Sequence, residues 1–539
     1  MIILMKLSSL KSNNMKESLL YKQMSEDYRI LPNPDKNVLE LFIDSFTKHK
    51  DEYFAWDETS GTSTRGDFML KAAVVSQLIK ARTNNEHVGI MLPALQTTTL
   101  LIIATYMAGK IPVMLNWTVG HKVLSYCADI SDLDLIITAG SFYDKVADQI
   151  PEDIKSRLMF LEKEVSAIST PMKLKGLLMA KLPRIFINTK IDKTAVVLFT
   201  SGSETLPKAV PLTHDNVVSD LWGALQLFEI RVQDIFLSFL PPFHSFGFTV
   251  LSILPLITGV KVAYTPNPTN LREVIDVLKH NKATNMMATP TLLKMIMAKA
   301  SSEELESLRL VISGAESLHE DTKAKFEEMT SSHKSLIIEG YGITECAPIV
   351  SLNPDDFQKT NSVGKVIIGL DLKVVNYESF EEIDVKEEGM FVVKGKSVFP
   401  GYIDKNVDDP FVEIGGEMYY KTGDLGYIDE DGFLFITGRL KRFIKIGGEM
   451  ISMPFLEKII NSEYGSDCEN CIAVEGNDIA GNPNVVLFTT KELNMSEINA
   501  HLREKGVSPI AKIREIRVID AIPVLGSGKI NYRELKEQI

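Results

Sequence analysis

The chain of 539 residues has few cysteines and no excess of basic residues. Its four cysteines are too few for the disulfide framework of a small secreted protein, so we expect a reducing compartment. Cys468 and Cys471 have CxxC spacing, but no second CxxC or paired-histidine tract accompanies them, and a metal site is not expected there. The 58 Lys and Arg residues stand against 71 Asp and Glu residues, and this net charge of −13 argues against nucleic acid as a partner.

Long uninterrupted apolar runs are also lacking. The uncharged segments 88–109 and 235–260 reach the length of a membrane span, but Pro93 interrupts the first and Pro255 the second. Each segment is therefore predicted to hold a buried strand and a buried helix. The apolar run of the first five residues is too short for a signal-peptide core, and we expect a cytoplasmic protein.

Short β-branched runs alternate with helical patterns along most of the chain. Examples of the runs are residues 195–199, 308–312 and 335–338. After the first of them, apolar residues recur at helical spacing from Val218 to Phe228, so the expected local order is strand, loop, helix. This alternation predicts an α/β fold.

The loop after the first run, residues 199–208 (FTSGSETLPK), is rich in hydroxyls and contains Gly202. Hydroxyls and exposed backbone N–H groups directly after a buried strand can hold phosphate oxygens. The loop is not a Walker A motif, which requires GxxxxGK followed by Ser or Thr. Taken alone, such a stretch is more often an ordinary turn.

The loop resembles the phosphate-binding signature of the adenylate-forming superfamily, which includes acyl-CoA synthetases, luciferases and peptide-synthetase adenylation domains. Other signatures of that family follow in order between residues 37 and 539. They are residues 241–247 (PPFHSFG), 313–316 (SGAE), 341–345 (YGITE), 420–424 (YKTGD), 438–448 (GRLKRFIKIGG) and 526–529 (GSGK). Within the superfamily, the wording of these motifs is most similar to bacterial stand-alone acyl-acyl carrier protein synthetases.

The resemblance implies a large, multi-subdomain, adenylate-forming N-terminal domain at residues 37–440. A small mobile α+β domain at residues 441–539 would follow it, and residues 1–36 would form a leader. The charge pattern agrees weakly with this division, because residues 438–539 carry 14 basic and 14 acidic residues and the whole net charge lies before them.

The resemblance also implies ATP and Mg²⁺ as cofactors and assigns roles to particular residues. Glu345 would bind Mg²⁺, Thr344 would contact the α-phosphate, and Lys529 would bridge carboxylate and phosphate. His244 would lie between the acyl pocket and the incoming thiol, with Lys445 near the thiol in the second step. The residues implied to bind the nucleotide are Thr200, Ser201, Gly202, Ser203, Glu204, Thr205, Lys208, Gly314, Ala315, Glu316, Tyr341, Gly342, Asp424 and Arg439.

These residue types suit the chemistry. A fatty carboxylate has a pKa near ~4 to 5 and is already ionised at neutral pH, so its attack on phosphorus needs no general base. The reaction needs alignment and donors aimed at the reacting oxygens. Lys441 matches the family's hinge, at which the C-terminal domain swings between one pose for each half-reaction.

Two positions depart from the family pattern, since Thr205 and Ala209 stand where relatives commonly have glycine. Thr205 is the more awkward, because a β-branched residue tolerates neither positive φ nor close backbone approach. The loop is therefore expected to be stiffer than in relatives.

The expected substrates are a long-chain fatty acid and the phosphopantetheine thiol of acyl carrier protein. Apolar residues near the histidine motif would border the acyl tail, although ordinary core packing explains them equally well. They are Phe243, Phe246, Phe248 and Leu251. Coenzyme A as the acceptor, in an acyl-CoA synthetase, is an alternative that the motifs do not separate, and a noncatalytic lipid or nucleotide sensor is a third hypothesis.

Residues 173–190 combine five basic residues, no acidic residue and seven large apolar ones. Such a stretch could hold anionic lipid or dock an acidic carrier protein, and peripheral membrane association is therefore an open alternative. A solvated helix with an apolar underside is the simpler interpretation.

Overall fold

The computed structural model describes residues 31–166, 168–200, 206–446, 449–465, 468, 470–479, 482–524 and 530–539. These residues form an α/β protein with a large N-terminal part and a smaller C-terminal part, which confirms the predicted fold class. The predicted leader, residues 1–36, lies mostly outside the described residues.

The helices and strands are numbered in chain order. The helices are α1 (Val38–Thr47), α2 (Arg65–Arg82), α3 (Gln96–Met107), α4 (His121–Ile130), α5 (Gly140–Val146), α6 (Glu152–Lys155), α7 (Leu161–Ser166), α8 (Thr170–Lys181), α9 (Pro183–Phe186), α10 (His214–Ala224), α11 (Leu254–Thr258), α12 (Leu271–Asn281), α13 (Pro290–Lys299), α14 (Glu320–Met329), α15 (Met453–Tyr464), α16 (Met495–Glu504) and α17 (Tyr532–Lys536). The strands are β1 (Tyr53–Asp57), β2 (Gly61–Thr64), β3 (His87–Ile90), β4 (Ile111–Met114), β5 (Ile136–Thr138), β6 (Leu158–Phe160), β7 (Thr194–Thr200), β8 (Lys208–Thr213), β9 (Ile235–Ser238), β10 (Lys261–Tyr264), β11 (Asn285–Ala288), β12 (Leu310–Gly314), β13 (Leu336–Gly342), β14 (Ile349–Leu352), β15 (Lys365–Val366), β16 (Leu370–Val375), β17 (Gly389–Gly395), β18 (Phe411–Ile414), β19 (Glu417–Ile428), β20 (Leu434–Arg439), β21 (Phe443–Ile446), β22 (Glu449–Ser452), β23 (Ile472–Ile479), β24 (Asn482–Thr489) and β25 (Glu515–Val518).

Polar residues fix where several helices begin. Asn37 caps α1 by accepting a hydrogen bond from the Glu40 N–H, and the Glu40 carboxylate accepts one from the Asn37 N–H in return. Thr213 and Asn216 form the same reciprocal arrangement at the start of α10. Each cap satisfies backbone N–H groups that the first turn of a helix leaves without partners.

The largest sheet contains nine strands in the described residues, in the order β15-β14-β13-β12-β11-β9-β10-β1-β2. Its central strands β9 to β13 run parallel. The carboxyl ends of parallel strands meet at one edge, where α/β proteins bind ligands. The histidine motif follows β9, and the ends of β12 and β13 carry the SGAE and YGITE motifs.

A second sheet pairs the described strands in the order β6-β5-β3-β4-β7-β8. Its strand β7 leads into the hydroxyl-rich loop, but strand β8 follows and pairs antiparallel with β7 before α10 begins. The expected order of strand, loop and helix is therefore wrong, because the loop closes a β-hairpin. Residues 208–213 contain Pro211 and a lysine, which disguise the strand in a pattern of hydrophobicity.

The two uncharged runs fold as predicted. Residues 88–109 hold the end of β3 and the helix α3, and residues 235–260 hold β9, a π-helix at Phe246–Ile253 and α11. In the part of the chain that the structure describes, no helix is both long and apolar enough to cross a bilayer.

The smaller antiparallel sheet of β16 to β20 joins the two large sheets to the C-terminal part. The C-terminal part contains β21 to β25 and α15 to α17, with apolar clusters that include Ile460, Leu487 and Phe488. Cys468 and Cys471 form a disulfide there, which corrects the expectation of reduced cysteines for this pair. The turn between α15 and β23 brings their Cα atoms to 5.9 Å, a separation at which a disulfide can form.

Candidate active site

A cavity of about 700 Å³ opens at the carboxyl edge of the nine-stranded sheet. The ends of β12 and β13, the start of the π-helix and the turn between β19 and β20 border it from the N-terminal part. Side chains from beyond residue 440 border it from the other side. They are Arg442, Asn470, Glu475, Val524, Tyr532, Arg533 and Lys536. The cavity therefore lies between the two parts of the chain.

One end of the cavity combines an aromatic ring with a buried carboxylate. The hydroxyl of Tyr341 donates a hydrogen bond to Asp424 Oδ2 at 2.5 Å, and Arg439 Nε lies 2.8 Å from Asp424 Oδ1. Asp424 and Arg439 face each other because β19 and β20 pair antiparallel in that register. Burial raises the pKa of the Tyr341 hydroxyl, which therefore stays protonated and donates. Gly314, Ala315 and Gly342 border the same end.

Glu316 was predicted to bind the nucleotide with its neighbours, but it does not border the cavity. Its carboxylate accepts hydrogen bonds from the Thr291 hydroxyl at 2.7 Å and the Thr291 N–H at 3.2 Å. In the structure Glu316 therefore holds the first turn of α13, and Thr291 is the residue of this pair that borders the cavity.

The centre of the cavity holds Thr344 and Glu345, in a single turn directly after β13. The Ser245 and Thr344 hydroxyl oxygens are 3.3 Å apart, which joins this turn to the histidine motif. Glu345 Oε1 accepts a hydrogen bond from the Tyr402 hydroxyl at 2.7 Å. The ammonium of Lys208 lies 4.5 Å from the centre of the Tyr402 ring. Tyr402 thus connects Lys208 with Glu345.

Tyr402 is a residue that sequence reasoning missed. It follows Gly401 in a loop between β17 and β18, and a single tyrosine in a loop carries no chemical pattern. Burial and the nearby Glu345 carboxylate raise the pKa of its hydroxyl, so it remains a donor at neutral pH.

Glu345 could hold a magnesium ion only as one ligand among several. Among the described residues there is no group of three or more His, Cys, Asp or Glu side chains arranged to hold a metal. Mg²⁺ is commonly bound by one or two carboxylates together with substrate phosphates and waters. One carboxylate in a cavity with space for phosphates fits that manner of binding.

The hydroxyl-rich loop begins at Thr200, which borders the cavity. Its residues Ser201, Gly202, Ser203, Glu204 and Thr205 lie outside the described residues. Ala209, the other departure from the family pattern, is fully buried in β8, and its carbonyl accepts a hydrogen bond from the Ile403 N–H. An extended strand accepts alanine without strain, so this departure does not disturb the hairpin.

His244 borders the cavity from the turn before the π-helix. This turn requires glycine at position 247, because a Cβ atom there would lie 2.2 Å from the Pro241 carbonyl oxygen. Phe246 also borders the cavity, but Phe243, Phe248 and Leu251 are packed in the core and do not. The expectation that all four border the acyl tail is thus wrong for three of them.

The end of the cavity opposite Asp424 is apolar. Its walls come mainly from α10, the π-helix, α11 and α13. The apolar residues there are Leu221, Ala224, Leu225, Phe228, Leu240, Val250, Leu254, Leu292 and Met295. The wall is built from helices far apart in the sequence, which is why a short motif did not reveal it.

Two arginines bracket the position predicted to be a hinge, Lys441. Arg439 pairs with Asp424, which belongs to the N-terminal part. Arg442 pairs instead with two carboxylates of the C-terminal part, Glu475 at 2.8 Å and Glu457 at 3.0 Å. Arg442 also donates to the Val474 carbonyl at 2.7 Å and lies 3.5 Å from the centre of the Tyr532 ring. Only two residues separate these attachments.

Two predicted catalytic residues have no described side chain. Lys445 lies in β21, and nothing about its side chain is described. Lys529 lies outside the described residues, but Val524 and Tyr532, before and after it, both border the cavity. Their roles and that of Lys441 stay predictions.

The sequence family described as AMP-binding enzyme matches residues 47–403. Curated relatives cover most of the chain at low identity. A probable 4-coumarate–CoA ligase 1 of Dictyostelium discoideum is 26% identical over 535 residues, which cover 94% of this chain and 95% of that protein. A 2-succinylbenzoate–CoA ligase of Listeria monocytogenes is 26% identical over 446 residues, which cover 82% of this chain and 86% of that protein.

Solved structures with the same fold include ATP-bound MatB from Rhodopseudomonas palustris. It matches with a TM-score of 0.77 at 22% identity and covers 93% of this chain and 99% of its own. The O-succinylbenzoate coenzyme A synthetase MenE from Bacillus subtilis, in complex with ATP and magnesium, has a TM-score of 0.76 at 21% identity, with the same coverage. At these identities the likeness establishes the fold.

Proposed function

Because the chain belongs to the family of AMP-binding enzymes, we propose that it is an AMP-forming ligase that joins a long-chain fatty acid to a thiol. ATP and Mg²⁺ are its cofactors. In the first half-reaction a carboxylate oxygen attacks the α-phosphorus of ATP, the bond to pyrophosphate breaks, and acyl-AMP forms. In the second, the sulfur of a thiol attacks the acyl carbonyl, AMP leaves, and the thiol proton passes to solvent or a nearby base.

The observation that carries this proposal is the arrangement of three regions along one cavity. Tyr341, Asp424 and Arg439 offer a ring and a carboxylate at one end, as a nucleoside requires. Thr344 and Glu345 lie between that end and the apolar end. A nucleotide and an aliphatic acid would meet at this point, with polar groups around the reacting atoms.

The apolar end supports an aliphatic acid as the substrate. Ligand cavities of about 300 to 1,000 Å³ are typical, and this one has room for a nucleotide and a tail along one path. The tail would pass Ala224 and Leu254, which come from α10 and α11.

We expect Ala224→Leu to shorten the accepted acid. The added carbons enter the apolar end and would collide with the far part of a long tail. The kcat/KM for palmitate should fall about tenfold or more, a loss of roughly 1.4 kcal/mol, while octanoate is used within a few-fold of the original rate. Pyrophosphate release with each acid measures this, and octanoate is the internal control. Equal rates with palmitate before and after the change would contradict a tail at Ala224.

We expect Tyr402→Phe to weaken the use of Mg²⁺ and ATP. The change removes the hydrogen bond that orients the Glu345 carboxylate, and hydrogen bonds to charged groups contribute about 1.5 to 3 kcal/mol. The KM for Mg-ATP and the half-saturating Mg²⁺ concentration should rise by about tenfold, with the KM for the fatty acid nearly unchanged.

The matched control is Tyr419→Phe. Tyr419 also donates to a carboxylate, Asp371 Oδ2 at 2.5 Å, but neither residue borders the cavity. This control should leave the Mg²⁺ dependence unchanged. An equal effect of both substitutions would mean that the sheet, and not Glu345, responds.

Two acceptor thiols have separate support. The wording of the motifs is most similar to acyl-acyl carrier protein synthetases, and we propose a carrier protein as the acceptor. The relatives described above are named as CoA ligases, which favours coenzyme A as the second candidate. Both present a phosphopantetheine thiol, so the same cavity mouth could receive either.

A thioester assay with Mg-ATP and palmitate, offering holo-acyl carrier protein and coenzyme A in parallel, separates these candidates by mass spectrometry. Product on the carrier alone supports the carrier-protein proposal, and product on coenzyme A alone replaces it. Absence of pyrophosphate release with ATP and palmitate would contradict the ligase proposal and favour a noncatalytic sensor.

A further inference from the structure

The helices α8 and α9 carry a concentrated set of exposed apolar side chains. In the part of the chain that the structure describes, sixteen large apolar side chains are exposed, and six of them lie within residues 174–186, each 37% to 72% exposed. We call these six the α8–α9 face. They are Leu174, Leu177, Leu178, Leu182, Ile185 and Phe186. Contiguous exposed apolar surface of this kind marks an interaction site.

The other side of α8 is fixed to the protein. Gly176, Met179 and Ala180 are buried against α2. A Cβ atom at position 176 would lie 2.6 Å from Val74 Cγ2 and 2.8 Å from Val74 Cα, so the two helices are in close contact. The helix therefore cannot roll its exposed leucines inward, and the α8–α9 face is held towards solvent.

The charges around the α8–α9 face have one sign. Residues 165–191 contain no Asp or Glu, although the whole chain has a net charge of −13. At about 100° per residue, Lys173 and Lys175 stand on either side of Leu174, and Lys181 lies near the same line one to two turns later. All three ammonium groups are exposed. An anionic, apolar partner would complement this surface.

We propose that the α8–α9 face docks the enzyme on a bilayer that contains anionic lipid, with α8 lying along the membrane surface. Leucines flanked by lysines are the arrangement of helices that rest in the headgroup region, where apolar side chains enter the acyl boundary and lysines contact lipid phosphates. This membrane contact is separate from the ligase chemistry.

A bilayer fits the surface better than an acidic carrier protein does. A carrier would need charge pairing close to the cavity, because its thiol must enter there. The described cavity wall begins at Phe199 and includes no residue of 170–190. Six exposed apolar side chains also exceed what pairing with an acidic helix requires, whereas a membrane takes up all of them.

The test is sedimentation of the full chain with vesicles of phosphatidylcholine alone or with phosphatidylglycerol added. We expect binding to the anionic vesicles and at least tenfold weaker binding to neutral ones. Leu174→Gln/Leu178→Gln should weaken anionic-vesicle binding by about tenfold or more. Lys173→Gln/Lys175→Gln/Lys181→Gln should weaken it by roughly a hundredfold and remove its salt dependence.

Matched controls separate this surface from general effects. Val385→Gln/Met418→Gln removes exposed apolar side chains elsewhere, and Lys122→Gln/Lys145→Gln/Lys325→Gln removes three exposed lysines elsewhere. Both should bind vesicles as the original chain does, and unchanged thermal unfolding shows that each variant folds. Vesicle binding that the α8–α9 substitutions leave intact would overturn the proposal. So would loss of carrier-protein binding in these variants with vesicle binding absent throughout.

Discussion

Lys529→Ala is expected to lower acyl-AMP formation by roughly 10²- to 10³-fold, the loss typical of removing one well-placed donor from a developing charge. Val524 and Tyr532, on either side of Lys529 in the sequence, border the cavity that Glu345 and Thr344 also border. A cation from this segment would neutralise charge where the carboxylate and the α-phosphate react. The loss should appear in ATP–pyrophosphate exchange with palmitate.

The second half-reaction provides the control for this prediction. When synthetic acyl-AMP and the thiol are supplied, the Lys529→Ala variant should form thioester within a few-fold of the original rate, because Lys529 is needed only for the first step. Lys536→Ala is the matched lysine variant, since Lys536 borders the same cavity, and we expect exchange within a few-fold of the original. Equal losses in both half-reactions for Lys529→Ala would contradict its assigned role.

The sequence predicted the α/β class and the residues that gather at the cavity for one physical reason. Parallel strands end at a common edge, so motifs that follow successive strands, such as those at Gly314 and Tyr341, come together whatever the lengths of the helices between them. Asp424 was predicted by motif alone, and its place beside Tyr341 depends on a separate antiparallel sheet.

Other features depend on contacts between distant segments, which local patterns do not encode. Tyr402 reaches Glu345 across 57 positions of sequence, and Arg442 reaches Glu475 across 33. Glu316 stands inside a recognised motif yet holds the start of α13, because its carboxylate lies within reach of Thr291. Phe248 is apolar and near the histidine motif, but the π-helix directs it into the core. A motif therefore locates a backbone segment more securely than it locates each side chain.

Lys441→Pro is expected to slow thioester formation by about a hundredfold while acyl-AMP formation stays within a few-fold of the original. Arg439 is bound to Asp424 of the N-terminal part, and Arg442 is bound to Glu457 and Glu475 of the C-terminal part. Any rotation between the two parts must therefore be taken up between these attachments, at residues 440 and 441. A misplacement of reacting groups by about 1 Å can cost a hundredfold in rate, so a hindered rotation should be costly.

Proline at position 441 suits the pose seen here and opposes the rotation. Residues 440–442 form a 3₁₀ turn, in which φ is about −50° to −70°, and proline fixes φ near −65°. Lys441→Ala keeps the backbone free, and both half-reactions should then proceed near the original rates. If Lys441→Ala were as slow as Lys441→Pro in the thioester step, the charge at this position and not the backbone rotation would be responsible. If Lys441→Pro slowed neither step, the turn between the two arginines would not be the hinge.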